Sequence, residues 1–278
     1  MKGPKLEPKS PYPIRHWSHS SLLAFLRNPL AWYKRYVEEI YDTPSSPSSL
    51  VGRSGHKALE HFYGGFEKTA AIDLGLEYLQ NFPDFEINFG KAKSKLAKKK
   101  KRLLIEKDYL QAISFYLERP PKYDVLGVEV KATAKVDGLL LPIKAVSDLV
   151  VVSKGNKNAV DIVDHKFVDS FSPAGAGKSL FIIQALFNYY TVRETFGKEV
   201  KRFIVHECKK SRNADGSPQM RRYVIDFERL KDEFALFHRL LRDATEEIGR
   251  SRIYLPNPSD MFDGEDSLTV YRLGLVVD

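Results

Sequence analysis

Two short apolar runs separated by a polar loop constrain the fold of this chain most strongly. They occupy residues 147–167, with the sequence S-D-L-V-V-V-S-K-G-N-K-N-A-V-D-I-V-D-H-K-F. β-Branched runs on both sides of a loop that contains glycine and asparagine predict a β-hairpin. If the turn is centred near Asn156, Asp148 and Asp164 lie directly opposite one another on the two strands. We therefore expect a pair of facing carboxylates on the sheet.

This pair of carboxylates is costly to bury. Facing residues on paired strands have Cβ atoms about 5 Å apart, so the two negative charges repel. Lys166 follows Asp164 by two residues and shares its face of the strand. Charges among Val, Ile and Leu side chains are unfavourable unless they are paired or bound to a cation. The hairpin therefore predicts a divalent-metal site at Asp148 and Asp164.

Composition is typical of a soluble, cytoplasmic protein. The chain has 278 residues, 43% of them apolar, which suffices for one large domain or two small ones. No apolar run reaches the roughly 20 residues of a membrane span, and the first residues lack the apolar core of a signal peptide. The single cysteine, Cys208, cannot by itself hold zinc or an iron–sulfur cluster, and we interpret it as a core residue on a strand.

The positive charge of the chain is concentrated in one segment. Residues 91–102, K-A-K-S-K-L-A-K-K-K-K-R, form a basic run with eight basic and no acidic side chains. Outside this run the chain has 36 basic and 36 acidic residues. Such local density suits a phosphate backbone, where counterion release drives binding, although a solvated helix face is the alternative. The candidate substrate-binding residues here are Lys98, Lys99, Lys100, Lys101 and Arg102.

The first 120 residues read as mainly helical. We predict a tail over residues 1–14, helices over 16–26, 28–41 and 50–63, a loop over 43–49 and a largely helical stretch over 66–118. Ser18 or Ser20 can cap the first helix, and Asn28 followed by Pro29 is a typical start for the second. His56 and Glu60 are four residues apart on one helix face and could both bind a metal ion, although His56 could equally be an ordinary histidine.

The second half reads as strands and two long helices. Strands are predicted over 125–136, 139–143, 200–208 and 221–227, and helices over 180–196 and 227–250, with the last 28 residues irregular. Asp137-Gly138 predicts a type I′ hairpin turn. Glu129, in the middle of a strand, could support the site or lie exposed, and we favour the exposed position. Residues 172–179, S-P-A-G-A-G-K-S, end like a phosphate-binding loop, but Ser172 stands where that loop requires glycine.

Five motifs in order make the chain resemble the PD-(D/E)XK nuclease superfamily, in particular its RecB/AddB-like exonuclease branch. The matches, over about residues 16–210, are the N-terminal helices, Gly52-x-x-x-His56, Ser147-Asp148, Asp164-His165-Lys166 and the glutamine Gln184. The chain departs from the family at Asn188, where a tyrosine is expected and Tyr189 follows one residue later. Asn28 replaces the first cysteine of members that carry a [4Fe–4S] cluster, so we expect no Fe–S cluster.

The resemblance implies an α/β fold, with a central mixed β-sheet flanked by helices and an N-terminal helical layer. After the tail we expect a single nuclease domain over residues 15–278. Its helical part would cover 15–120, its nuclease core 121–250 and a C-terminal extension 251–278.

The resemblance also implies an exonuclease that hydrolyses DNA with Mg²⁺ or Mn²⁺ in DNA processing, repair, recombination or replication. The metal ligands would be His56, Asp148, Asp164 and the backbone carbonyl of His165. Lys166 would orient water or stabilise developing charge, Gln184 would position the lysine or the substrate, and Tyr189 would contact the substrate. The expected partners are single-stranded DNA or duplex ends and a separate helicase or recombination protein. The alternatives are an inactive nucleic-acid-binding module of the same fold and a P-loop NTPase.

Overall fold

The computed structural model describes residues 11–41, 44–173, 177–250 and 253–257, with only the backbone described for 177–180. It divides into two compact units, neither of which is a continuous stretch of chain. The smaller unit contains residues 1–42, 133–145 and 232–278, and the larger unit contains residues 43–132 and 146–231. The candidate site belongs to the larger unit.

The sheet is mixed, as predicted. Its strands are β1 (Trp17–Ser18), β2 (Val125–Ala134), β3 (Ile143–Ser153), β4 (Asn156–Val168), β5 (Glu199–Arg212) and β6 (Pro218–Asp226). β3 pairs with β4 antiparallel, β4 with β5 parallel and β5 with β6 antiparallel, while β2 pairs with β3. The helices are α1 (His19–Arg27), α2 (Pro29–Tyr36), α3 (Pro47–Tyr63), α4 (Lys68–Asn81), α5 (Lys95–Glu118), α6 (Gly177–Phe196) and α7 (Lys231–Ile248).

The β3–β4 hairpin has the register that the sequence predicts. Leu149 pairs with Val163 and Val150 with Ile162, so one further step places Asp148 opposite Asp164. The turn itself lies earlier than predicted, at Lys154-Gly155, with Gly155 at a φ of 85°. A register shift between Val152 and Ser153 reconciles the early turn with the predicted pairing.

Helices cover both faces of this sheet in the larger unit. Side chains of α3, α4 and α5 form one buried cluster with Phe167 of β4 and Cys208 of β5, which confirms Cys208 as a core residue. α6 contacts β4, β5 and β6 and lies on the face of Asp164, because Gln184 of α6 reaches that carboxylate. The predicted fold class, a mixed sheet flanked by helices, is confirmed.

The smaller unit is built around aromatic packing. The ring centroids of Trp17 and Trp32 lie 5.8 Å apart, those of Phe25 and Trp32 lie 5.0 Å apart, and the Trp17 indole donates to Thr245 Oγ1 at 2.9 Å. Ser18 caps α1 by accepting from the Ser21 backbone, which decides between the two predicted caps.

Three sequence predictions about element boundaries were wrong. The helix predicted to begin at residue 16 begins at His19, because residues 17–18 pair with β3 and Ser18 is the cap. The next helix, capped by Asn28 as predicted, ends at Tyr36 rather than Tyr41, and Glu39 has a left-handed φ of 56° that interrupts a helix. α3 begins at Pro47, inside the predicted loop, because Ser46 caps it and proline suits its first turn.

The Asp137-Gly138 turn also differs from its prediction. Leu139 donates to the carbonyl of Val136 at 3.0 Å, but in this turn only Gly138 has a positive φ. A type I′ turn needs a positive φ at both central residues, so the turn is of another type. β2 ends at Ala134 and β3 begins at Ile143, so the predicted strand over 139–143 is mostly loop.

Some predictions fall outside the described residues. These are most of the tail over 1–14, the centre of the glycine-rich stretch over 172–179, and nearly all of the last 28 residues. Among the helices of the described residues, none is long and apolar enough to cross a membrane.

Candidate active site

The strands β3 and β4 separate at the end of their ladder, and Asp148 fills the gap. The backbone N–H of His165 donates to Asp148 Oδ2 at 2.8 Å, where a regular ladder would use a backbone carbonyl. His56 Nδ1 of α3 lies 3.2 Å from the same oxygen. A carboxylate from β3 is thus tied to both β4 and α3.

A glycine lets α3 approach β4 closely enough for this contact. A Cβ atom on Gly55 would overlap the ring of Phe167, whose neighbours in β4 are the site residues. His56, the next residue, is therefore placed beside Asp148. The other glycine of the predicted histidine motif, Gly52, has no described atom within 4 Å of an added Cβ, so the helix face there is open.

Asp164 is bound by side chains of α6 and of its own strand, β4. Gln184 Nε2 donates to its Oδ1 at 2.7 Å, and the ammonium of Lys166 donates to the same oxygen at 3.0 Å. Lys166 Nζ also lies 2.8 Å from Oδ2, but Oδ2 has no hydrogen bond of acceptable geometry from a described residue. Asp164 therefore presents one buried oxygen that is incompletely satisfied.

The environments of the two carboxylates push their pKa values apart. Burial disfavours the charged form of Asp148, yet the charge of His56 holds the pKa of Asp148 well below its usual range. Burial and the charge of Asp148 raise the pKa of Asp164 despite Lys166. Because like charges repel, Asp164 takes up a proton before Asp148 does as the pH falls.

The two cations of the site remain charged. Burial opposes this, but the charge of Asp148 and its hydrogen bond outweigh burial and raise the pKa of His56 to about 9. Burial also opposes the charge of Lys166, and Asp164 raises the pKa of Lys166 above its ordinary value. In this structure the carboxylates are therefore neutralised by His56 and Lys166.

Glu129 is the site residue that the sequence analysis missed. We interpreted it as exposed, but it is half-buried, and its carboxylate, Asp148 and His56 offer ligand atoms that all lie within 4.8 Å of one another. Burial and the charge of Asp148 raise the pKa of Glu129. Its φ is 48°, a left-handed conformation that costs a non-glycine residue about 1 kcal/mol. Strained backbone of this kind is concentrated at functional sites.

No signal in the sequence distinguishes Glu129 from an exposed strand residue. Its position in an alternating strand is compatible with either face, and a left-handed φ at glutamate has no sequence signature. Glu60, in contrast, was a candidate ligand by its spacing from His56. The structure pairs Glu60 with Lys57 at 2.9 Å and places Glu129 in the group with His56 instead.

The helix α6 brings Gln184 to the site but not Tyr189. Asn188 is buried below Gln184, where it donates to the Gln184 carbonyl at 2.8 Å and accepts from Ser147 Oγ at 2.6 Å. The Tyr189 ring instead packs on Phe227, with centroids 4.8 Å apart. The departure from the family pattern at these two positions thus corresponds to a buried polar link from α6 to β3.

The basic run divides into two parts with different environments. Lys98, Lys99, Lys100 and Lys101 are exposed on the first turns of α5. Arg102 is engaged within the protein, because its guanidinium donates to the carbonyls of Leu79, Gln80 and Phe82 and pairs with Asp84 at 2.8 Å. Arg102 thus satisfies the last carbonyls of α4, so the structure does not leave it free to contact a phosphate.

The donor set fits a divalent cation. Two carboxylates and an imidazole nitrogen converge within ligand distance of one another, and Asp164 Oδ2 is buried without a proper hydrogen bond. Carboxylate oxygens suit Mg²⁺ and Mn²⁺, and an imidazole nitrogen shifts the preference towards Mn²⁺.

The chain is similar to a known protein family and to solved structures. The family model of the PD-(D/E)XK nuclease superfamily matches residues 16–260. The crystal structure of a "Putative exonuclease" from Eubacterium rectale superposes with a TM-score of 0.54 at 15% identity, covering 90% of this chain and 94% of that one. A structure of SSO0001 covers 76% of this chain and 79% of that one at 16% identity, with a TM-score of 0.30. No curated protein matches the chain.

Proposed function

Because the chain belongs to the PD-(D/E)XK nuclease superfamily, we propose that it is a metal-dependent deoxyribonuclease of the RecB/AddB-like branch and acts as an exonuclease. The observation that carries this proposal is the convergence of His56, Glu129 and Asp148 beside the Asp164–Lys166 pair. A cluster of this kind has the charges and ligand types needed to hold a cation against a phosphodiester.

The metal ligands in this proposal are His56, Glu129 and Asp148, with Asp164 Oδ2 and the backbone carbonyl of His165 completing the site. When bound, a divalent cation supplies a positive charge next to the scissile phosphate and lowers the pKa of a coordinated water. His56 must release its proton before Nδ1 can be a ligand, since its pKa is about 9 in this structure. Cation binding is therefore expected to release a proton.

Lys166 acts in this proposal as a charged hydrogen-bond donor to the phosphate. Its pKa is raised by Asp164, so the ammonium form persists, and a base that removes a proton from water would need the neutral form. An ammonium aimed at developing negative charge stabilises the transition state electrostatically. Gln184 holds Asp164 in place through the hydrogen bond to Oδ1 and so keeps Lys166 oriented.

The proposed substrate is DNA, as a single strand or as the end of a duplex. Exposed Lys98, Lys99, Lys100 and Lys101 supply positive charge for its backbone. We propose roles in DNA repair, recombination or replication, with a helicase or recombination protein on a separate chain providing the strand or end.

Digestion of labelled DNA tests this proposal. The purified protein is incubated with linear and covalently closed circular DNA, labelled at the 5′ or 3′ end where ends exist, in Mg²⁺, Mn²⁺ or a chelator, with and without ATP. We expect metal-dependent, ATP-independent loss of linear DNA and survival of the circle. Cleavage of the circle would exclude a strict exonuclease. Binding without cleavage in every metal would instead indicate an inactive nucleic-acid-binding module.

A further inference from the structure

The side chain of His165 has no role in the chemistry described above, yet it is among the most buried polar groups in the larger unit. It is 1% exposed and points to the face of β4 opposite Asp164. Its ring stacks between Tyr63, at a centroid distance of 5.8 Å, and His206, at 6.0 Å, and the ring of Tyr116 meets it edge-on at 5.1 Å. A buried imidazole needs hydrogen-bond partners, and these partners indicate which ring nitrogen carries a proton.

Hydrogen bonds link the His165 ring to a backbone carbonyl through two tyrosines. The Tyr63 hydroxyl lies 3.1 Å from the carbonyl oxygen of Pro121. The hydroxyls of Tyr63 and Tyr116 lie 2.9 Å apart, and the Tyr116 hydroxyl lies 2.8 Å from His165 Nε2. A carbonyl only accepts and a phenol has a single proton to donate, so the other proton positions depend on whether Tyr63 donates to Pro121 or to Tyr116.

We take Tyr63 to donate to Pro121, which sets the direction of the hydrogen-bond relay formed by Tyr63, Tyr116 and His165. Tyr63 then accepts a hydrogen bond from Tyr116. The Tyr116 oxygen then accepts from His165, which requires a proton on Nε2. Burial raises the pKa of both tyrosines above the ordinary value, so the phenols stay protonated and the relay stays intact.

The backbone of His165 also contacts the active site. The His165 N–H donates to Asp148 Oδ2 at 2.8 Å, and its Nδ1 lies 3.5 Å from that oxygen. Its chain neighbours are Asp164 and Lys166, which form the other half of the site. Whatever fixes the His165 ring therefore fixes the spacing between the two carboxylates.

We infer that Tyr116 and Tyr63 are positioning residues, which act through a His165 ring protonated on Nε2 to hold the Asp164–His165–Lys166 segment against Asp148. The inference rests on the proposed function, because it treats that segment as catalytic. Polar groups that orient metal ligands in this way typically contribute 10- to 100-fold to metal affinity or activity.

Ordinary core packing does not explain this arrangement. The neighbouring surface of the sheet is apolar, formed by Leu149, Val151, Val163 and Ile204. Phenylalanine would fill the same space as Tyr63 or Tyr116 without the cost of burying a hydroxyl. A second link of the same type, from Tyr123 to His206 at 2.6 Å, supports the imidazole that stacks on His165. Hydrogen-bonded polar groups of this kind specify one geometry where apolar packing would tolerate several.

The first test is the tautomer of His165, which does not depend on activity. Long-range ¹⁵N–¹H spectra of ¹⁵N-histidine-labelled full-length protein report which ring nitrogen carries the proton, and His165→Gln assigns the signal. We expect protonated Nε2 in the wild type. A neutral ring protonated on Nδ1 would overturn the inference.

The second test compares two buried tyrosines on the same helix. Tyr116→Phe removes the relay, whereas Tyr109→Phe removes an equally buried hydroxyl that donates to the Ile72 carbonyl at 2.6 Å, away from the site. Mn²⁺ affinity is measured calorimetrically without DNA, and single-turnover cleavage is measured with it. We expect Tyr116→Phe to weaken Mn²⁺ binding about 10-fold and to slow cleavage, and Tyr109→Phe to change neither even if both variants lose stability.

Wild-type Mn²⁺ affinity and cleavage in Tyr116→Phe would overturn the inference. If that variant does not fold, Tyr63→Phe breaks the relay one link further away and should weaken Mn²⁺ binding in the same direction, by less. Absence of cleavage by the wild type in any metal would refute the proposed function alone. The tautomer and the Mn²⁺ affinities would still decide whether the tyrosines position the site.

Discussion

The acidic site on the β3–β4 hairpin has buried charges, whereas the basic run at the start of α5 has exposed charges. In the site, Asp148 and Asp164 are largely shielded from solvent, and each lies beside a cation that favours its charged form, His56 at 3.2 Å from Asp148 and Lys166 at 2.8 Å from Asp164. In the run, Lys98, Lys99, Lys100 and Lys101 stand in solvent. Both regions are required by the proposed function, but they should contribute to different steps.

The difference in burial explains why the site should act in cleavage and the basic run in DNA binding. Charges in a buried site interact strongly and keep fixed positions, which is what stabilisation of a transition state requires. Exposed lysines are screened by salt and move freely, so they contribute mainly to affinity and association. Variants of the site should therefore change the rate of cleavage, and variants of the run should change binding.

The largest effect is expected from Lys166→Ala and Asp164→Asn. Either change removes half of the ion pair that faces the metal ligands, so the cleavage rate at saturating DNA should fall by about 1,000-fold. DNA affinity should stay close to wild type because the exposed lysines are unchanged. Single-turnover rates and fluorescence anisotropy measure the two quantities. Near-normal cleavage by either folded variant would show that the residue changed in it is not part of the active site.

Glu129→Gln should have the next largest effect, about a 100-fold loss of activity that is partly recovered at high metal concentration. The change keeps the shape of the side chain and removes one anionic ligand. Glu129→Gly is a useful companion, because glycine accepts the φ of 48° and removes the backbone strain. We expect the glycine variant to be inactive but at least as stable as Glu129→Gln. Full activity in both variants would show that Glu129 is an ordinary strand residue with no role in the site.

His56→Ala should weaken metal binding more than DNA binding and should flatten the pH dependence of metal affinity. Protonation of His56, with a pKa of about 9, competes with the cation, so wild-type affinity should fall as pH decreases below that value. The loss is at most about tenfold per pH unit. Calorimetric Mn²⁺ titrations between pH 6.5 and 8.5 test this. An identical pH dependence in the variant would show that His56 is not a ligand.

The smallest effect on chemistry is expected from alanine at all four of Lys98, Lys99, Lys100 and Lys101. DNA affinity should weaken, and the log–log slope of affinity against salt should become shallower by up to about 3.6, since each contacted phosphate contributes about 0.7 to 0.9. Arg102→Ala is the contrasting variant, and it should destabilise the end of α4 without changing the salt slope. An unchanged slope in the four-lysine variant would mean that the run is a solvated helix face.

The sequence was sufficient for the parts of the site that depend on strand periodicity. The two apolar runs on either side of the polar loop in residues 147–167 predicted a hairpin, and the register placed Asp148 opposite Asp164, as the structure shows. The superfamily resemblance and the mixed sheet are likewise confirmed. These features are local or nearly so, because a hairpin brings together residues that are close in sequence.

The rest of the site depends on contacts that no periodicity encodes. Glu129 is placed in the site by a left-handed backbone conformation. Arg102 is not available to DNA like the lysines of the basic run, because carbonyls at the end of α4 accept hydrogen bonds from it. The relay from Tyr63 through Tyr116 to His165 joins α3, α5 and β4. Each of these depends on packing between elements, which pairs side chains that are remote in the chain.

The most direct test of the central claim measures both regions in one experiment. Single-turnover cleavage in Mn²⁺ and the salt slope of DNA affinity are determined for the wild type, Asp164→Asn and the four-lysine variant. We predict that Asp164→Asn loses cleavage and keeps the wild-type slope, while the four-lysine variant loses slope and still cleaves at a near wild-type rate at saturating DNA. Loss of cleavage at saturating DNA in the four-lysine variant, or normal cleavage by Asp164→Asn, would contradict the division of chemistry and binding between the two regions.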